Sequence, residues 1–420
     1  MLPNDRPRAR DIGLAIGIHQ PGPLNAITDV SDVRVGQTTV VFGDGPLQPG
    51  RGPARTGVTV VLPHGGNLFQ KKVPAAIHVI NGFGKCMGME QVEELGTIEG
   101  PIALTSTLCV GRVTDALMSH AIRENPEIGI TTSTVNPVVG ECSDAFLNDI
   151  QGRHVQEHHV LAAIDSASTG PVEEGAIGAG TGMTAFGFKG GIGTSSRVLP
   201  AAVGDWTIGV LVLANFGLKH QLVIDGVPVG KLLSEQPPAV PERGSIMMIV
   251  ATDAPLLDRA LRRIARRAGV GLARTGSMIG HGSGDLVIAF STSPLVRIPQ
   301  TASEHTIALE VVAEGPVASG ERVIDSIFEA TAEATEEAIL NAIFRATTVV
   351  GRDGNTSEAL PIESVRDLLQ GAGRLTARYV SRPANSVNPP HIQSRTYPAQ
   401  LHSRVSQQQM TTPSSTHGPT

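Results

Sequence analysis

The sequence predicts a layered α/β domain in which sheets are covered by helices, and three observations carry that prediction. Short apolar runs suited to strands outnumber long amphipathic stretches, and the two kinds do not strictly alternate along the chain. Hydrophobic residues make up 40% of 420 while aromatics supply only 3%, so the core is built from Ala, Val, Ile and Leu in thin layers. Glycine, at 48 residues, suits close approach between those layers and many tight turns. The length allows one large domain or two medium ones.

Taken in order, residues 1–23 form a charged N-terminal arm. "LNAITDVSDVRVGQTTVV" (24–41) reads as a strand, a turn at Ser31-Asp32 and a second strand. "GVTVVLP" (57–63) and "AAIHVING" (75–82) are further strands, and "GPIALTSTLCVG" (100–111) is a fully apolar one bounded by glycines. "RVTDALMSHAIREN" (112–125) has helical spacing, with Val113, Ala116, Leu117 and Ala121 on one face. A glycine-dense stretch at 175–197 precedes "DWTIGVLVLANFG" (205–217), a buried strand ending in a turn. Ile246 to Val250 form another continuous apolar strand. "DAPLLDRALRRIARRAGVG" (253–271) is a helix whose five arginines lie opposite an apolar stripe, the pattern of a solvated outer face. Strands are expected again at 285–292 and 305–314. A long helix at 324–346 carries its acids toward the N-terminal half, as the macrodipole prefers. From 376 to 420 the chain is rich in Ser, Pro, Gln and Thr and too poor in apolar residues to offset ordering entropy, so a disordered tail is expected.

The chemistry is sought where "VPERGSIMMIV" (240–250) joins a proline-rich approach to a core strand. A serine at the head of such a strand is what a chain needs if that serine becomes a new N-terminus. Cleavage between Gly244 and Ser245 would free an α-amine with a pKa of about 7.7–8.0, well matched to a general base. The amine would sit on the residue whose hydroxyl it activates, so no separate histidine is required. Glycine before the serine lets the scissile peptide adopt a strained geometry. On pattern alone, an ordinary turn is the better explanation of Gly-Ser.

Several blocks together go further. "ITDVSDVRVGQTTVV", "NPVVGECSDAFLNDI" (136–150), "GTGMTAFGFKGGIGTSSRVL" (180–199), "LVLANFG" (211–217), residues 242–292 and "EATEEAILNA" (333–342) resemble, in order, the blocks of one family. It is the self-processing family of the L-aminopeptidase/D-esterase-amidases and β-peptidyl aminopeptidases, serine N-terminal-nucleophile-type hydrolases. The resemblance covers roughly residues 24–350. It implies an α/β (α+β) fold, a four-layer αββα sandwich, with a single catalytic domain at 24–375 cut into an α chain, 1–244, and a β chain from 245. It implies Ser245 as nucleophile, Asn215 as oxyanion donor, and Ser283 and Asp285 as the groups that orient the nucleophile and its amine. Where the family is better known for Glu at the last place, this chain has the shorter Asp. Glu141 falls where an acid receives the substrate's free amino group. Some members add a tyrosine hydroxyl near that motif, but the tyrosines here are Tyr379 and Tyr397. Ser143 or a backbone N–H is left to replace it, with Phe146 giving apolar contact. The implied activity is release of the N-terminal residue from short peptides, amino acid amides or esters, without cofactor, by a tetramer of αβ pairs.

Rival readings are weaker. Lys189 in "FGFKGGIG" is followed by glycine, not a hydroxyl residue, and fails the phosphate-loop spacing. His154, His158 and His159 lack an HExxH arrangement, so no metal is expected. His281 beside Ser283 could serve a conventional triad, a role the amine already fills. Cys86, Cys109 and Cys142 form no CxxC pair, which suits packing and a reducing compartment. A net charge of −6 offers nucleic acid no attraction. "MLPNDRPRARDIGLAIG" lacks a secretory pattern and no stretch is long enough for a bilayer, so a cytoplasmic protein is expected. Besides the aminopeptidase, an endo-acting oligoamide hydrolase or amine acyltransferase shares the acyl-enzyme, and a non-catalytic small-molecule-binding homologue is the third class.

Overall fold

The computed structural model describes residues 5–234, 244–316, 320 and 322–376. The approach 235–243 and the tail from 377, with both tyrosines, lie outside them. In chain order the longer strands are β1 (Arg34–Phe42), β2 (Ala54–Leu62), β3 (Lys71–Gly82), β4 (Ile102–Ser106), β5 (Val138–Cys142), β6 (Gly191–Val198), β7 (Thr207–Asn215), β8 (Ser245–Thr252) and β9 (Gly284–Ser291). The longer helices are α1 (Val110–Glu124), α2 (Glu157–Asp165), α3 (Asp258–Arg274), α4 (Val323–Phe344) and α5 (Ile362–Gly371).

The strands form two main sheets. The first runs β1-β2-β4-β5, and the second runs β3-β9-β8-β7-β6 with the short Ile298–Pro299 strand outside β3. Pairing is antiparallel except for β4–β5 and β8–β9. Parallel neighbours need a crossover, and α1 and α3 supply the two.

Period-two alternation sorts the side chains into three apolar layers. Along β8, Ile246, Met248 and Val250 face α3 and α4, joining Ile264, Ala268, Ile339 and Ile343. Met247 and Ile249 face the other way, into a layer between the sheets with Val61, Leu104, Val138, Leu211 and Leu213. On the far side of the first sheet, Val58, Val60 and Val139 meet Val113, Leu117 and Val160 of α1 and α2. The result is the four-layer αββα sandwich. Burial on both faces is why β7 and β8 read as unbroken apolar runs. Close layers need glycine: a Cβ on Gly193 would stand 2.0 Å from the Ala338 carbonyl of α4.

Three local expectations are corrected. No strand forms at 24–30; Ile27–Asp29 is a single 3₁₀ turn, because the Asp29 carboxylate accepts from the Leu24 and Ala26 N–H groups at 2.9 and 3.0 Å. The 305–314 segment is not a strand either and is largely exposed. The edge of β3 beside Ile298–Pro299 is already occupied, and Val312 N–H instead donates to Pro255. Asp325 stands in the first turn of α4 as the dipole prefers, but two of the other acids have a different role. Glu333 and Glu337 are buried against Arg197, and Arg10 of the N-terminal arm also pairs with Glu337 at 2.7 Å. The arm is thereby clamped to α4, with Ala9 N–H donating to Asn341.

The arginine face of α3 is partly solvated and partly paired: Arg262 meets Glu93 at 2.8 Å, and Arg267 stacks on Phe328 at 3.9 Å. Among the described residues no helix is long and apolar enough to cross a membrane.

Candidate active site

Strand direction assembles the site before any side chain is considered. The parallel pair β8–β9 starts at one rim, with Ser245 opposite Gly284. Antiparallel β7 ends at the same rim, with Asn215 opposite Ser245. Three strand ends therefore meet where the apolar runs stop, and polar residues occupy the rim.

Ser245 is buried, and its Oγ donates to the Gly244 carbonyl at 2.7 Å. The Gly284 N–H reaches both Ser245 Oγ and the Gly244 oxygen, at 3.2 Å each. The hydroxyl thus lies against the carbonyl of its own peptide link. Gly244 is required sterically as well as conformationally: a Cβ there would stand 2.4 Å from the Asn215 oxygen and 2.7 Å from Phe216 Cα.

Asn215 is held from two sides. Its Oδ1 accepts from Thr184 N–H at 2.9 Å, and its Nδ2 donates to the Ser143 carbonyl at 3.0 Å. That fixes which end of the amide is the donor. On the other flank, Ser283 Oγ donates to Asp285 Oδ1 at 2.6 Å, both groups being buried. The shorter aspartate thus meets Ser283, two residues before it. Asn81, which the sequence reading missed, ties this loop down by donating to the Ser283 carbonyl and to those of Gly280 and His281.

Glu141 is one backbone layer away. A Cβ on Gly284 would lie 2.9 Å from Gly84 N, and one on Gly84 would lie 3.6 Å from Glu141 Oε1. The carboxylate accepts from Lys85 N–H at 2.8 Å and from the Thr107 hydroxyl. Neither donor was foreseen; a backbone N–H leaves no mark on sequence, and Thr107 sits inside what reads as strand. Ser143 joins the cluster through its carbonyl. Phe146 is exposed, and what the fold holds is its carbonyl, which accepts from Asn355 at 2.8 Å.

The rival groups have other partners. His281 is exposed, with its ring 6.4 Å from that of Phe83, and among the described residues no histidine bonds Ser245. Burial pushes the Cys86 thiol up to about 12, helped by the charge of Glu141, and also pushes Cys142 well above the usual thiol range, so neither supplies a thiolate. His154 bonds Asp149, His158 stacks on His159, and no group among the described residues has the ligands for a metal ion. Lys189 is wholly buried and donates to three carbonyls, so it faces no phosphate.

Comparison with known proteins identifies the family. Residues 25–357 match the model of peptidase family S58. The chain is 40% identical over 386 residues to the beta-peptidyl aminopeptidase BapA of Sphingosinicella microcystinivorans, covering 88% of this chain and 94% of that one. Among solved structures, the PH0078 protein of Pyrococcus horikoshii is 48% identical with a TM-score of 0.82, covering 88% of this chain and 100% of that one. The L-aminopeptidase D-Ala-esterase/amidase of Ochrobactrum anthropi, described as a prototype serine aminopeptidase and a variant of the Ntn hydrolase fold, is 38% identical. It has a TM-score of 0.80 over 88% of this chain and 100% of that one. With several hundred residues matched and the same layered fold, the chain belongs to peptidase family S58 and is a serine aminopeptidase of the N-terminal-nucleophile type.

Proposed function

We propose that the chain cuts itself between Gly244 and Ser245 and that Ser245 then removes the N-terminal residue from short peptides, amino acid amides or esters. One observation carries this reading: the Ser245 hydroxyl lies 2.7 Å from the Gly244 oxygen, with the Gly284 N–H aimed at both. In the first reaction Oγ bonds the Gly244 carbonyl carbon as the C–N bond breaks, and the hydroxyl proton passes to the leaving nitrogen. Water then opens the ester, leaving a carboxylate on Gly244 and a free amine on Ser245.

In the second reaction the amine takes the Ser245 proton as Oγ attacks the carbonyl of the substrate's first residue. The proton goes to the departing amine, and water clears the acyl-enzyme. An amide nitrogen carries two N–H bonds, and Ser143 takes one of those on Asn215, which supports the other as an oxyanion donor. The Ser283–Asp285 pair supports the orientation of the nucleophile, and buried Glu141 supports capture of the substrate ammonium. Relatives named for β-peptides and for D-Ala esters or amides define the substrate classes to try first. A tetramer of αβ pairs, resting on the family resemblance, and a cytoplasmic location, resting on the three free cysteines, complete the proposal.

The test is Ser245→Ala. Purified wild type should resolve into two chains, the smaller beginning at Ser245. The variant should stay in one piece and lose activity by about 10⁶-fold, as loss of a nucleophilic serine does. Full activity from wild-type protein whose mass shows an uncut backbone would overturn the proposal.

A further inference from the structure

Lys189 and Asp144 are buried charged groups outside the chemistry proposed above, and both act on the segment that holds Asn215. Lys189 Nζ donates to the carbonyls of Gly180, Met183 and Gly190 at 2.9, 2.7 and 2.9 Å. Three acceptors match the three N–H bonds of an ammonium. Lys189 is also the strand partner of Thr184, in the small hairpin Thr184–Ala185 and Phe188–Lys189. Thr184 is the residue whose N–H fixes Asn215 Oδ1.

Asp144 holds the other side. It follows Ser143, whose carbonyl takes the Asn215 Nδ2 donor. Its Oδ1 accepts from the Ser106 hydroxyl at 2.8 Å and from Asn148 Nδ2 at 3.0 Å. A Cβ on Gly182 would stand 2.6 Å from Asp144 Cβ, so Asp144 packs on the same turn that Lys189 ties together.

We infer that Lys189 and Asp144 are positioning residues that clamp the Asn215 amide from its two sides, through Thr184 and Ser143. The inference rests on Asn215 being the oxyanion donor. Burial of this kind is otherwise hard to account for. It pushes Lys189 down to about 7 against the pull of Asp144, the charged group facing it, and pushes the Asp144 carboxyl up. An apolar pair would hold a purely structural turn without that penalty.

The experiment is a double-mutant cycle on processed enzyme, with an aminoacyl p-nitroanilide that wild type turns over. Asn215→Ala should lower kcat by about 10²–10³-fold. Lys189→Met should lower kcat by on the order of 10²-fold with KM nearly unchanged, because a displaced donor fails mainly at the transition state. The double variant should lose no more than Asn215→Ala alone, since Lys189 acts only through that amide. Multiplied losses in the double variant would overturn the inference and leave the Asn215 role standing. Unchanged kcat in Asn215→Ala alone would overturn that role, and the inference with it. If Lys189→Met does not fold, Asp144→Asn, which keeps the Oδ1 acceptor, enters the same cycle under the same criteria.

Discussion

Lys189, two residues before β6, and Arg197, near its end, are fully buried basic residues that the chain satisfies in opposite ways. Arg197 is neutralised by carboxylates, with Nε on Glu333 at 3.0 Å and a terminal nitrogen on Glu337 at 2.7 Å. It also donates to the Ile16 and Ser196 carbonyls. Lys189 donates to carbonyls, and the facing carboxylate, Asp144, works through charge at longer range. The forked guanidinium can span two acids and two carbonyls at once, while the compact ammonium suits a nest of three oxygens. The Arg197 end fastens long-range pieces of the fold: the N-terminal arm, β6 and α4. The Lys189 end fastens one short turn beside Asn215. A buried charge used as a rivet between layers is thus distinguished from one used to aim a neighbouring amide.

The largest effect expected from this contrast is on stability. Arg197→Met leaves Glu333 and Glu337 buried with fewer cations, and should cost about 3–5 kcal/mol of unfolding free energy. Denaturant unfolding should show it directly. The same variant should keep a kcat close to wild type wherever it remains folded, because Arg197 touches nothing at the Ser245 rim. A kcat loss as large as that of Lys189→Met would dissolve the distinction between the two ends.

Much of the architecture was legible because it rests on period and polarity. The unbroken runs of β7 and β8 announced strands buried on both faces, and the stripe on α3 announced a helix laid on a sheet. The misreadings share a cause. At 24–30 a carboxylate competing for backbone N–H groups outweighed alternation, and at 305–314 the alternating run stays largely exposed and joins neither main sheet. Glu333 and Glu337 of α4 were misassigned because their partners, Arg10 and Arg197, lie far away in sequence. Pairing across the fold leaves no local trace.

The site divides along the same line. Gly244, Ser245, Asn215, Ser283 and Asp285 were named from motif blocks whose order made a resemblance, and the fold brings them to one rim. The supporting groups were not. Thr184 and Lys85 contribute through backbone N–H groups, which any residue type carries. Asn81 sits near the end of what reads as a strand, 75–82, where nothing in the run sets its amide apart. Lys189 was considered only as a phosphate ligand, because nothing in one sequence tells a buried lysine from an exposed one.

The smallest expected effect is also the one that separates the two ends by pH. Burial works to raise Glu337, but Arg197, Arg10 and the Asn25 amide outweigh it and hold the carboxyl below its usual range. In the unfolded chain Glu337 returns to about 4.3, so just below that pH the unfolded state binds the extra proton. Stability from Glu337 is therefore present above about 4.3 and is lost as pH falls through the lower folded value. Lys189 is also depressed, to about 7 by burial, but from an ordinary lysine value of about 10.4. Between those values the unfolded chain again holds more protons, so stability rises with pH, now in an alkaline window. Each group contributes a slope of at most about 1.4 kcal/mol per pH unit. Against wild type, Glu337→Gln should flatten the acid slope and leave the alkaline one, and Lys189→Met should do the reverse. If both variants altered the same window in urea titrations across pH, the two buried charges would have to be one coupled network rather than two devices.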